Sequence, residues 1–281
     1  MRVIDNIPLW KSLRPTLVGT VGLIPTMGAL HEGHLSLVRR AREENDFVVV
    51  WVFVNPKQFN EGDDFANYPR NLEQDMGLLE AEKVDFILAP KVEDVYPPGF
   101  QTYVHVEELT APLEGTHRPG HFRGVTTVVA KMLCLTQCHK AYFGQKDAQQ
   151  SLVVRRMVKD LDMLTEIVIC PTVREEDGLA MSSRNVHLSR EDRRAATILY
   201  KALVDAENAV RCGERNGDEL RERMISYLQR EPRIEVEYVS VADPVTLQEY
   251  EKIQDEVLIS LAVRVGETRL IDNLPLSVKE K

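Results

Sequence analysis

From Phe47 to Val54 the chain carries an unbroken apolar run, Phe-Val-Val-Val-Trp-Val-Phe-Val. A strand wetted on one face alternates apolar and polar residues, so such a run needs cover on both faces. It is also far too short to cross a membrane. The run therefore predicts an inner strand of a parallel sheet, with helices packed above and below it. Its neighbours agree. Apolar runs at Val18–Ile24, Phe86–Leu88, Lys140–Phe143 and Glu166–Cys170 alternate with helical patterns at Leu35–Glu44, Asn71–Glu82, Gly124–Leu135 and Ala148–Leu161. Alternation of this kind predicts an α/β domain with a doubly wound parallel sheet, Rossmann-like and suited to nucleotides, with ligands at the carboxyl ends of its strands.

Beyond Pro171 the pattern changes. Arg190–Cys212 and Asp218–Arg230 read as helices, with Ser189 as the N-cap of the first and Gly213 at its end. Strand-like runs follow at Ile234–Ala242, Glu256–Val265 and Thr268–Ile271. Helices grouped apart from strands predict a smaller α+β C-terminal domain. The expected division is a nucleotide-binding domain over 1–172 and a lid domain over 173–281.

Composition narrows the partners. With 43% apolar residues the chain can bury a real core, while a net charge of −9 argues against duplex or tRNA ligands. Among the four cysteines, Cys134 and Cys138 stand beside His139 and look metal-like. Their four-residue spacing within an apolar helical pattern instead predicts buried thiols. Met1-Arg2-Val3-Ile4-Asp5 lacks signal-peptide architecture, so a reducing cytoplasm is the expected home, without a membrane partner.

The residues richest in chemistry lie where strands end. After the first predicted strand comes Thr26-Met27-Gly28-Ala29-Leu30-His31-Glu32-Gly33-His34, running into a helix. Such a junction is expected to present backbone N–H groups and a positive helix end to phosphate. Two imidazoles three residues apart on a first turn share one face, and Gly28 and Gly33 permit close approach. That spacing excludes the His-Glu-x-x-His zinc pattern. A solvated turn with two incidental histidines is the plainer alternative.

Asn55-Pro56-Lys57-Gln58-Phe59 closes the apolar strand, where Asn55 and Gln58 set short polar groups on an apolar wall. Asn-Pro is otherwise an ordinary turn. In Phe143-Gly144-Gln145-Lys146-Asp147-Ala148-Gln149-Gln150, a lysine at a helix start disfavours the helix unless it faces an anion, and Gln150 stands one turn further on. The loop Asp177–Asn185 offers Ser182, Ser183 and Arg184 as phosphate donors. Arg118-Pro119-Gly120-His121-Phe122-Arg123-Gly124 forms another lip, where Arg118 can hold a carboxylate or phosphate. Asp75, on the predicted 71–82 helix, can reach Mg²⁺ directly or through water.

Taken in order, Pro-Thr-Met-Gly-Ala-Leu-His-Glu-Gly-His, Phe-Val-Asn-Pro-x-Gln-Phe, Arg-Pro-Gly-His-Phe, Phe-Gly-Gln-Lys-Asp-Ala-Gln-Gln and Gly-Leu-Ala-Met-Ser-Ser-Arg-Asn resemble the pantothenate synthetase family over residues 1 to 281. One His-x-Gly-His alone points only to the nucleotidyltransferase superfamily. The resemblance implies an ATP- and Mg²⁺-using homodimer that joins pantoate to β-alanine through a pantoyl-adenylate, releasing AMP and diphosphate. It implies that ATP lies against Met27, Gly28, Ala29, Leu30, His31, Glu32, Gly33 and His34. Further contacts are expected from Gly144, Gln145, Lys146 and Asp147, and from Val173, Met181, Ser182, Ser183 and Arg184. Gln58 and Gln150 are expected to hold pantoate, with Asn55 and Arg118 beside them. His34 carries catalytic weight in this reading, assisted by His31 and Lys146. An aminoacyl-tRNA synthetase shares the His-x-Gly-His logic, but this chain has Met-Ser-Ser-Arg where such enzymes carry Lys-Met-Ser-Lys-Ser. A simple nucleotidyltransferase is the closer chemical rival, and a non-catalytic adenine-nucleotide sensor is a rival from another class.

Overall fold

The apolar run forms the strand Phe47–Val52 inside a six-stranded sheet whose pairings are all parallel. The computed structural model describes residues 1–59, 65 and 68–278. In chain order the elements are β1 (Arg2–Ile4), α1 (Ile7–Leu13), β2 (Val21–Thr26), α2 (Glu32–Glu44), β3 (Phe47–Val52), α3 (Leu72–Ala81), β4 (Phe86–Leu88), α4 (Val92–Val95), α5 (Glu114–His117), α6 (His121–Thr136), β5 (Lys140–Gly144), α7 (Ala148–Asp160) and β6 (Glu166–Cys170). After these come α8 (Arg190–Ala195), α9 (Ile198–Arg211), α10 (Gly217–Leu228), β7 (Ile234–Ala242), β8 (Glu256–Val265) and β9 (Thr268–Ser277).

Two compact units result. One comprises Met1–Gln145 with Gln149–Pro171, the other Lys146–Ala148 with Thr172–Lys281. In the first, the strand order β1-β4-β3-β2-β5-β6 reverses direction between β2 and β5, which puts the switch point at the carboxyl ends of those two strands. The two faces of β3 diverge as its sequence requires. Val49 and Trp51 join Trp10, Val125 and Val129 on one side, while Val48 and Val50 join Leu35, Val38 and Leu79 on the other. Both layers are buried, so no polar alternation is needed.

In the second unit β7, β8 and β9 form an antiparallel sheet, and α9 and α10 close its core through Leu199, Leu203, Leu220 and Met224. Among the described residues no helix is long and apolar enough to cross a membrane.

Several boundaries differ from expectation. β2 begins at Val21 rather than Val18, which is 90% exposed. The single helix expected over 190–212 is two, α8 and α9. The Thr197 amide and hydroxyl both bond to Arg194 O, three residues back, which tightens the chain and interrupts the helical ladder. β9 runs to Ser277 instead of stopping at Ile271, because the polar pair Asp272 and Asn273 is buried with partners. Cys138 is buried as expected but Cys134 is exposed, and His139 Nδ1 accepts a hydrogen bond from Val21 N at 3.0 Å. Cys134 lies off the buried face of α6.

Candidate active site

The turn after β2 is held by its own hydrogen bonds and by Asp75 of α3. Gly28 adopts φ +84 and Ala29 φ +51, and this left-handed pair turns the Ala29 and Leu30 amides onto Asp75. They donate to its two carboxylate oxygens at 3.0 and 2.8 Å. The positive φ of Gly28 calls for glycine, and a Cβ there would also crowd Asp75 Oδ2 at 3.0 Å. Gly28 N donates to Thr26 Oγ1, and the His34 and Leu35 amides donate to His31 O. Gly33 N donates to His31 Nδ1 at 3.1 Å and His31 N to His34 Nδ1 at 3.4 Å.

The backbone amides expected to face phosphate are mostly engaged, some within the turn and two by Asp75 of α3. Asp75, expected at a metal, anchors the loop: it is 2% exposed and both its oxygens accept backbone bonds. Burial pushes its carboxyl up, against the pull of the two amides. Among the described residues no group of three or more His, Cys, Asp or Glu side chains could hold a metal ion. A metal carried chiefly by nucleotide phosphates needs no such cage.

His31 and His34 occupy the N-cap and third positions of α2 and form a capping box, with ring centroids 4.1 Å apart. This explains their spacing. Because each Nδ1 accepts from a backbone N–H, each neutral ring carries its proton on Nε2.

The second cluster lies at the end of β3. Gln58 is buried in the short 3-10 turn Pro56–Gln58, where its Nε2 donates to Met27 Sδ at 3.2 Å and its Oε1 accepts from Asn55 Nδ2 at 3.1 Å. Asn55 is 1% exposed and also donates to Gly124 O, while its Oδ1 accepts from Lys57 N and Tyr96 OH. Both amide hydrogens and both lone pairs are thus used inside the protein. Asn55, expected beside the substrate, spends these hydrogen bonds on positioning Gln58. Arg118 donates to Gln58 O at 3.2 Å, lies 3.3 Å from His121 Nε2 and pairs with buried Glu114 at 3.7 Å. His121 Nδ1 meets the same Gln58 carbonyl at 2.8 Å.

Gly124, the last residue of the expected lip, has a packing role that the sequence did not reveal: a Cβ there would fall 2.2 Å from Lys57 O, so α6 can approach this turn only through glycine. Gly144 ends β5 and Gln145 opens the turn after it, both half-buried, and Gln150 is half-buried on the first turn of α7. Its neighbour Gln149 is buried and binds Glu114 N, Leu109 O and Pro112 O.

In the second unit, half-buried Lys146 lies in the 3-10 turn Gln145–Asp147, its carbonyl held by Asn273 Nδ2 at 2.8 Å; Asp147 is exposed. The segment 173–185 folds back on itself. Met181 N donates to Val173 O, and Arg174 bridges to Ala180. Arg174 clamps buried Asp272 at 2.6 and 3.0 Å and stacks 4.0 Å over Tyr200, while Arg193 pairs with Glu175 and Asp177. Ser182 caps the turn that follows by accepting from Arg184 N, and Met181–Arg184 are half-buried. Arg174 and Asp272 were not singled out from sequence, since their pairing spans 98 residues.

Fold and turn together define an α/β enzyme of the nucleotide-binding class. The Pantoate-beta-alanine ligase family model matches residues 2–275, and the chain belongs to that family, whose named reaction joins pantoate to β-alanine. The pantothenate synthetase of Roseiflexus sp. (strain RS-1) is 58% identical over 98% of this chain and 99% of its own length. That of Acetivibrio thermocellus is 51% identical over 99% and 100%. Among solved structures, the Thermus thermophilus enzyme superposes with a TM-score of 0.95 at 48% identity, covering 100% of both chains. The Francisella tularensis enzyme, described as complexed with beta-gamma ATP and beta-alanine, gives 0.82 at 36% identity over 100% and 99%.

Proposed function

We propose that the ligation runs in two steps and uses ATP. A pantoate carboxylate oxygen attacks the α-phosphorus, the α–β bridging P–O bond breaks, and diphosphate leaves with the electron pair. The neutral amine of β-alanine then attacks the acyl carbonyl of the pantoyl-adenylate, the C–O bond breaks with AMP leaving on its electron pair, and the new amide nitrogen releases its proton to water. No protein nucleophile is needed, so positioning and electrostatics supply the rate.

The observation that carries this reading is the imidazole pair on α2. With the neighbouring amides engaged, the Nε2–H groups of His31 and His34 are the donors suited to developing phosphate charge. In the same reading Met27–Leu30, Glu32 and Gly33 line the nucleotide, with Gly144, Gln145 and Asp147 at the next strand end. The second unit, acting as a lid, contributes Lys146, Val173, Met181, Ser182, Ser183 and Arg184. Gln58 and Gln150 hold pantoate, with Arg118 at the lip. Mg²⁺ carried on the nucleotide would supply neutralisation of its phosphate charge, with few or no protein ligands needed. We further propose a homodimer in the cytoplasm, with small molecules as the substrates and no nucleic acid or membrane as partner; sedimentation at micromolar concentration tests the dimer. A nucleotide complexed with the Francisella tularensis relative supports ATP as co-substrate.

The test is enzyme with ATP and pantoate alone. Diphosphate and bound pantoyl-adenylate should form without β-alanine. Positional exchange of label in ATP that strictly required β-alanine would sink the two-step route.

A further inference from the structure

We propose that Tyr96 is a positioning residue for the hydroxy-acid substrate, acting through Asn55 on Gln58. The proposal rests on reading Gln58 as an acid-binding residue.

The geometry is a one-way relay. Lys57 N–H can only donate and Gly124 C=O can only accept, so Asn55 between them fits one way round, Oδ1 toward Lys57 and Nδ2 toward Gly124. Its other amide hydrogen then meets Gln58 at 3.1 Å, which obliges Gln58 to present Oε1 there. Gln58 is thereby turned with Nε2 toward Met27 Sδ at 3.2 Å. A thioether is a weak acceptor, so an oxygen of the acid competes well for those N–H groups. Gln58 is thus fixed as a donor and selects a substrate oxygen that accepts.

Tyr96 secures the start of this relay. Its hydroxyl donates to Asn55 Oδ1 at 2.8 Å, shorter than any other bond Asn55 makes. Without it the oxygen keeps only the 3.2 Å contact from Lys57 N. The Tyr96 ring is itself held, edge-on to Phe100 with centroids 5.0 Å apart, beside Phe53 at 6.3 Å, and beneath Lys57 Nζ at 5.0 Å. Burial pushes its hydroxyl up from the ordinary phenol range, so it stays a donor. Tyr96 has no place in the chemistry proposed above. Its hydroxyl reaches Gln58 through one side chain.

The test is a cycle on the full chain: Tyr96→Phe, Gln58→Ala and the double variant, each with a Tm and KM values for pantoate, ATP and β-alanine. Tyr96→Phe should raise the pantoate KM about 5- to 20-fold, the worth of one loosened buried hydrogen bond. The KM for ATP and kcat should hold within about twofold. In the Gln58→Ala background the same change should add nothing, because the relay then has no end. An equal effect in both backgrounds, or a fall in Tm with all three KM values rising together, overturns the relay. An unchanged pantoate KM in Gln58→Ala overturns the reading of Gln58 itself.

Discussion

Lys146 and His34 are both proposed at the phosphates, but they differ in what else depends on them. The Lys146 backbone is fixed by Asn273, and among the described residues no side-chain hydrogen bond or ion pair of Lys146 holds the turn. Lys146→Ala should therefore slow adenylation about 10²- to 10³-fold while leaving the Tm nearly unmoved. Stopped-flow diphosphate release and calorimetry read the two effects apart. His34→Ala removes the proposed transition-state donor and half of a capping box together. It should lower kcat at any pantoate concentration and cost about 0.5–2 kcal/mol of stability as well. Rescue by excess pantoate would place His34 on the acid side instead. These positions were legible because each follows a strand. Tyr96 was not, since only the folded chain brings it 2.8 Å from Asn55, 41 residues away.

At the scale of elements, α6 and the Asn55–Gln58 turn meet where a side chain would not fit. Gly124→Ala forces a Cβ against the Lys57 carbonyl, so helix or turn must shift. The expected cost is about 1–3 kcal/mol, together with a raised pantoate KM, because the Gly124 carbonyl also anchors Asn55. A wild-type KM beside a lowered Tm would separate packing from substrate binding. Periodicity located β3, β4, β6, α3 and α7 to within a residue or two. It failed where tertiary pairing overrides local signals. Asp272 and Asn273 read as the end of a strand, yet Arg174 and the Lys146 carbonyl satisfy them inside β9. β1 is three residues long and acquires its meaning only by pairing with β4.

For the molecule as a whole, acidity bears on stability through carboxylates that folding pulls down. Glu44, at the end of α2, accepts from Lys140 and Tyr142 at 2.9 Å each and pairs with Arg40. Lys140 foremost, then Tyr142 and Arg40, hold its carboxyl at about 2 against an ordinary 4.5. A depressed folded value means that its stabilisation is complete above pH 4.5 and fades as pH falls toward 2. Glu44→Gln should lower the Tm at pH 7, and the gap to the native chain should close through that window. A constant gap from pH 7 to pH 2 would show that only packing was lost. Asp177 beside Arg193, Asp205 beside Arg223 and Asp192 beside Arg233 act in the same direction.

The capping box on α2 has a consequence for which residues can stand there. A helix start of this kind is ordinarily closed by a hydroxyl and a glutamate. Glutamate at position 34 would close it too, but would set a full negative charge where the nucleotide's own charge is proposed to lie. An imidazole accepts from the chain on one nitrogen and donates outward from the other, so it satisfies the backbone behind it without repelling an anion in front. The same two rings thus reconcile a folding requirement with an electrostatic one. Substituting carboxylates would keep the fold and turn the doorway against its guest.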